Sequence, residues 1–200
     1  INTVNEIKSK ILAYKKQIEE LNVQILNDNN FKEINIQKVF DLQDGFAFFL
    51  SLYTTNKSDI KLIRIQDVNQ KSEPREIRIP RDYQFSNKEK YIVKKDDFLL
   101  SLSGAAGFNL IKWLGEEGYL NQRITKIKLK DGFSSNLIED YIEILIADIY
   151  QELNNLGNGQ NNNLSRKNLN QINFKIPINS KGEFDLEAQK EIAEKYRKIE

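Results

Sequence analysis

The sequence predicts an α+β fold, with a mixed-sheet body flanked at its N- and C-terminal ends by long, coiled-coil-like helices. Three observations predict it. Apolar residues recur at spacings of three and four at both ends. Between the ends they alternate in short runs bounded by turn residues. The whole chain of 200 residues, 40% apolar and 30% charged, has the make-up of an ordinary globular protein with enough length for a sizeable core.

The first helix is expected over 1–26, where Val4, Ile7, Ile11, Tyr14, Ile18, Leu21 and Ile25 form a heptad stripe with Lys, Glu and Gln between them. The cluster Asn27 to Asn30 ends it. A body over 31–184 follows. Strands are expected at Ile34–Phe40, Ile60–Gln66, Ile77–Ile79, Phe98–Leu102, Asn109–Leu114 and Thr125–Lys130, with turns at Asp44-Gly45 and Asp131-Gly132. Ile138, Tyr141, Ile142, Leu145, Ile146, Ile149 and Leu153 make a helical stripe, capped by Asn136 with Glu139 three residues on. Gly157 to Asn163 is an amide-rich loop with two glycines. Ile172, Phe174, Ile176 and Ile178 alternate as a final strand, which Pro177 assigns to a sheet edge. From 185 to 200 a second charged helix starts, with Asp185 as cap and Ala188, Ile192, Tyr196 and Ile199 as its stripe.

Composition narrows the chemistry. There is no cysteine, histidine or methionine, so no thiolate nucleophile, no disulfide and no imidazole base or metal ligand. A chain that opens at Ile1 without any methionine is expected to be a fragment of something longer. No apolar run reaches the ~18 residues of a membrane span, so an intracellular protein is expected, with no membrane partner. The net charge of +1 gives little general pull on nucleic acid, but the basic residues are grouped. Lys126, Lys128 and Lys130 share one strand face, Arg75, Arg78 and Arg81 recur every three residues, and Arg166-Lys167 have no acid near them in sequence. A solvated surface explains each group equally well.

Several segments carry a resemblance in a fixed order. They are Asp44-Gly45-Phe46-Ala47-Phe48, Leu62-Ile63-Arg64-Ile65-Gln66-Asp67-Val68, Asp97 to Gly107, Tyr119-Leu120-Asn121-Gln122-Arg123, and the tail of amide loop, Ile176-Pro177 strand and Gln189-Lys190-Glu191-Ile192 helix. Together they resemble the target recognition domain of the DNA specificity subunits of type I restriction-modification systems, over about Asp41 to Ile199. Asn161-Asn162-Asn163 departs from the usual threonine and polar-basic positions. The Ile178 to Leu186 connection is similar instead to fused methyltransferase-specificity polypeptides. The resemblance implies a cytoplasmic bacterial or archaeal protein that binds double-stranded DNA. Its implied partners are methyltransferase and restriction subunits or domains and a second recognition domain reached through the spacer helices. It implies no cofactor in this chain, with S-adenosylmethionine expected in the partner methyltransferase.

Sequence-specific reading needs side chains that offer paired donors and acceptors, arginine for guanine and glutamine or asparagine for adenine. Arg64, Gln66, Gln122, Arg123, Gln160, Asn161, Asn162 and Asn163 offer them. Arg78, Arg81, Lys112, Arg166 and Lys167 suit phosphates. Ser101 and Ser103 alternate along a strand ending at Gly104, where a close approach to phosphate and a tight hairpin both fit. Trp113 reads as core.

No catalytic site is expected. Pro74, Pro80 and Pro177 are isolated, so the Asn-Pro-Pro-Tyr segment of an adenine methyltransferase is missing. Glu6-Ile7-Lys8 has a nuclease-like spacing but lies on the heptad helix. Gly104 to Gly107 lacks the lysine and length of a phosphate-binding loop. The alternatives from other classes are a coiled-coil protein-interaction module with no DNA role and a nucleotide-dependent enzyme.

Overall fold

The computed structural model describes residue 20 and residues 30–69, 76–101, 109–156 and 166–198. The heptad of 1–26, apart from Glu20, lies outside these residues, as do the amide loop, Ser103 and Gly104. In chain order the strands are β1 (Asn30–Asn35), β2 (Phe40–Asp44), β3 (Ile60–Ile63), β4 (Arg78–Ile79), β5 (Ile92–Val93), β6 (Phe98–Ser101), β7 (Leu110–Lys112), β8 (Gly118–Leu120), β9 (Ile124–Leu129) and β10 (Asn173–Ile178). The helices are α1 (Ile36–Val39), α2 (Ile65–Asn69), α3 (Glu139–Leu156), α4 (Arg166–Leu169) and α5 (Leu186–Arg197). The architecture is mixed α/β with several sheets. The described residues form two compact units, one from 30–35, 131–148 and 173–198 and the other from the remainder of 36–172.

In the first unit β1 and β10 form an antiparallel pair, with Phe31 opposite Pro177 and Ile34 opposite Phe174. A two-stranded sheet is all edge, so the missing N–H of Pro177 breaks no ladder. Phe174, Ile176 and Pro177 are buried. Asp185 caps α5 by accepting from the Ala188 N–H at 3.0 Å. The start of α3 is satisfied differently from the sequence expectation. Asn136 turns its side chain back to the Gly132 carbonyl. The fully buried Gln189 accepts from the Ile138 N–H at 3.1 Å and donates to the Asn136 carbonyl at 3.0 Å. An amide one helix away thus replaces the local cap, a partner that sequence spacing cannot reveal.

The second unit contains two four-stranded sheets, ordered β2-β9-β6-β7 and β4-β3-β8-β5. Among the described strand pairs only β3–β8 is parallel, with Leu62 beside Tyr119 and Ile63 beside Leu120. Leu62 and Ile63 of β3 and all of β8 are buried, so the pair is covered on both faces, as parallel strands are. Ile63 and Leu120 pack with Val68, Val93, Leu99, Trp113 and Ile124. Leu62 and Tyr119 pack with Phe48, Ile77 and Ile79 under a layer that includes Phe46, Tyr83 and Phe85. Trp113 is core, and its indole N–H donates to the Glu116 carbonyl at 2.9 Å.

Two expected strands end early. The Ile34–Phe40 run is cut by the helical turn α1, with Ile36 and Val39 buried. Spacing by two and spacing by three both fit Ile34, Ile36, Val39 and Phe40. The chain changes sheets here, from β10 as partner to β9, and the turn makes that change. The Ile60–Gln66 run stops at Ile63, because the Asp67 carboxylate accepts from the Arg64 N–H at 2.7 Å and starts α2.

Candidate nucleic-acid interface

Parallel strands carry their C-terminal ends to the same side, and the end of β3–β8 gathers most of the described candidates. Arg64 directly follows β3, and Gln66 is exposed on α2. The turn after β8 is tied to that end. Asn121 donates its N–H to the Ile63 carbonyl at 3.0 Å, and Gln122 donates its own to the Phe46 carbonyl at 3.0 Å. Asn121 also caps the turn with its side chain, accepting from the Gln122 N–H at 2.9 Å. Gln122 and Arg123 project from this fixed backbone and are exposed. Arg123 has a φ of 68°, in the left-handed region. An arginine there costs about 1 kcal/mol or more relative to an ordinary backbone.

Gly45 explains how the Asp44 to Phe48 segment reaches the same place. A Cβ on Gly45 would lie 1.9 Å from the Asn121 carbonyl oxygen. The Gly45 N–H donates to the Ile124 carbonyl and the Phe46 N–H to the Leu120 carbonyl, each at 2.9 Å. The expected turn is therefore a close backbone approach that only glycine permits. Asp44 then meets Arg166. The Asp44 carboxylate accepts from Arg166 Nη1 at 2.7 Å and from the Thr125 hydroxyl at 2.5 Å. Arg166 Nη2 donates to the Leu42 carbonyl, and Nε donates to Asn170 at 3.2 Å. The acid absent from the sequence neighbourhood of Arg166 is supplied from residue 44. Neighbouring Lys167 is exposed. Asp44, Asn121 and Thr125 were not singled out from sequence as partners; the glycine beside Asp44 was the available signal.

Other candidates lie elsewhere or face inward. Arg78 sits across from Lys61, at the opposite end of β3. Only 8% of it is exposed, and its guanidinium donates to Glu76, to Glu116 at 2.6 Å and to the Asp59 carbonyl at 2.8 Å. Burial opposes its charge, but the hydrogen bonds it donates to Glu76 and Glu116 outweigh that and raise its pKa. The hydrogen bond from Arg78 in turn holds Glu76 below the ordinary carboxyl range. The fork suited to phosphate is thus engaged internally. Arg81 is exposed nearby, with Nε on the Ser58 carbonyl at 3.1 Å. Ser101 is likewise engaged internally. It is fully buried, donates to Asn69 at 2.8 Å and accepts from the Asn109 N–H at 2.7 Å, which ties the β6–β7 hairpin to α2. Lys112 is half-buried over the Phe98 ring at 6.0 Å. Ser103 and Gln160, Asn161, Asn162 and Asn163 lie outside the described residues. Among the described residues, no group of three or more acidic side chains is placed to hold a metal ion, and no helix is long and apolar enough to cross a membrane.

A family profile described as the type I restriction modification DNA specificity domain matches residues 28–199. The chain belongs to that family. It is 29% identical over 118 residues to the type I restriction enzyme EcoBI specificity subunit of Escherichia coli, a match covering 58% of this chain and 23% of that subunit. Two solved structures share the fold. The HsdS subunit from Thermoanaerobacter tengcongensis matches with a TM-score of 0.59 at 13% identity, over 99% of this chain and 47% of that one. A chain from a study of complex assembly and conformational transition in a type I restriction-modification system matches with a TM-score of 0.61 at 15% identity, over 99% of this chain and 48% of that one. The chain thus spans under half the length of these relatives. DNA sequence specificity is the function that the family carries, and the interaction module without a DNA role gains no support.

Proposed function

We propose that this specificity domain reads one part of a DNA target from the C-terminal end of β3–β8, as the non-catalytic module of a restriction-modification enzyme. The supporting observation is the gathering of Gln66, Gln122, Arg123 and Lys167 as exposed side chains toward one end of the second unit. Arg64 lies beside them. Gln160 to Asn163 form the second reading element, because Arg166 fixes the chain that follows them next to Asp44. Lys167, Lys112 and Arg81 are the phosphate contacts in this scheme, and Ser103 adds a hydroxyl.

In this reading the heptad segment 1–26 and α5 serve as spacers that set the distance to a second recognition domain. Partner methyltransferase subunits or domains supply S-adenosylmethionine-dependent adenine methylation, and restriction subunits join where cleavage occurs. The setting is a bacterial or archaeal cytoplasm.

The test uses the full specificity protein with its methyltransferase. Sequencing of methylated adenines defines the target, and affinity for target and scrambled duplexes is then followed against salt. Binding to both should fall steeply between low and physiological salt. Lys167→Ala should lower the salt slope by about one without changing the preference for target. An affinity insensitive to salt and to sequence would sink the reading.

A further inference from the structure

Arg123 differs from the other arginines of the second unit. Arg78 and Arg166 direct their guanidinium groups at internal acceptors. Arg123 is exposed, and no partner for its side chain occurs among the described residues. Its backbone is nonetheless flanked by two residues that are themselves anchored. On one side Gln122 is bonded to Phe46 and to the Asn121 side chain. On the other, Ile124 is fully buried and its carbonyl accepts from the Gly45 N–H at 2.9 Å. Between these two fixed residues Arg123 takes the left-handed conformation, with a φ of 68°. Glycine, asparagine and aspartate enter that region most easily. An arginine persists there because the surrounding hydrogen bonds hold it, the pattern of strain kept at a functional position.

Resting on the DNA-reading role proposed above, we propose that Arg123 is a specificity-determining residue that recognises a guanine edge in the major groove. A phosphate contact tolerates a mobile tether, because the charge acts over a broad range of geometries. A guanine edge demands a fork aimed at O6 and N7 together, and a side chain on a fixed root meets that demand. Gln122, exposed on the adjacent residue, lies at the same tip.

The experiment uses the full specificity protein with its methyltransferase and a target defined by the methylated adenines of the unaltered protein. Affinities are measured for that target and for duplexes in which each G·C pair is changed in turn. Arg123→Gly removes the guanidinium and relieves the backbone; Arg123→Lys keeps the charge without the fork. Both variants should lose ~10- to 100-fold discrimination at one G·C position and keep their ratios at the others. The thermal midpoint of Arg123→Gly should not fall, which separates loss of reading from loss of fold. Unchanged ratios at every position, or affinity lowered uniformly across all duplexes, would overturn the assignment. An unaltered protein with no sequence preference would instead refute the DNA-reading role itself, before any substitution is made.

Discussion

The two ends of the β3–β8 pair use the same chemistry to opposite effect. At the N-terminal end Arg78 is 8% exposed, with Glu76, Glu116 and the Asp59 carbonyl around its guanidinium. At the C-terminal end Gln122 and Arg123 are exposed on a turn whose backbone is tied to Ile63 and Phe46. One end therefore directs polar side chains inward and closes the sheet; the other directs backbone inward and leaves the side chains to solvent. Residue type alone does not distinguish an arginine engaged inside the fold from one left to solvent. The partner groups do.

The sharpest way to break the contrast is at Gly45. Its Cβ would meet the Asn121 carbonyl at 1.9 Å, with backbone on both sides unable to yield. Gly45→Ala should cost about 3 kcal/mol or more, at the upper end of overpacking effects. It should also displace the Gln122-Arg123 turn. Urea unfolding measures the first effect, and loss of sequence discrimination at permissive temperature measures the second. An alanine variant with native stability would mean that the close approach is not needed.

Arg78→Ala tests the other end and should be less severe. Three hydrogen bonds disappear, but Glu76 and Glu116 keep 47% and 49% exposure and can be rehydrated. A loss of ~1 to 3 kcal/mol follows, below the range for a pair buried on both sides. The salt slope of DNA binding should be unchanged, since the guanidinium is already engaged. A slope lowered by about one would return Arg78 to the phosphate contacts.

The smallest effect concerns Lys126 on β9, which donates to the Ile92 carbonyl and lies 3.9 Å from Asp97. Burial holds its pKa below the ordinary 10.5, and Asp97 opposes that only in part. The unfolded chain then binds this proton more tightly, so stability from this group rises as pH climbs through the window beneath 10.5. Tyr119 and Tyr141, raised by burial above 10.0, act in the opposite sense as pH passes that value. Comparing the native chain with Lys126→Met from about pH 7 to about pH 10 isolates the lysine. The advantage of the methionine variant should shrink with pH, and a constant difference would contradict the assigned shift.

Local patterns in the sequence carried much of this fold and little of its polar wiring. The alternation of Ile172, Phe174 and Ile176, the edge role of Pro177 and the Asp185 cap all appear where their spacing placed them. These features depend on neighbours a few residues away. β8 was missed because Gly118-Tyr119-Leu120 is too short to alternate, and its burial on both faces depends on the parallel partner β3. The candidate site divides the same way. Residue chemistry singled out Gln122 and Arg123, but it also selected Ser101 and Arg78, whose acceptors at Asn69 and Glu116 lie 32 and 38 residues away. Arg166 found its acid 122 residues away. Long-range partners decide exposure, and no local window contains them.

Gln189 has a further consequence for measurement along the chain. Its amide bonds Asn136 and Ile138, the residues that lead into α3, from within the second turn of α5, while Asp185 fixes the first turn of α5. A helix anchored this way has a defined zero mark. Residues counted from that mark convert to distance at ~1.5 Å each and to azimuth at ~100° each. Both the reach of α5 and the direction its outer face points are therefore set by two polar side chains within five positions, Asp185 and Gln189.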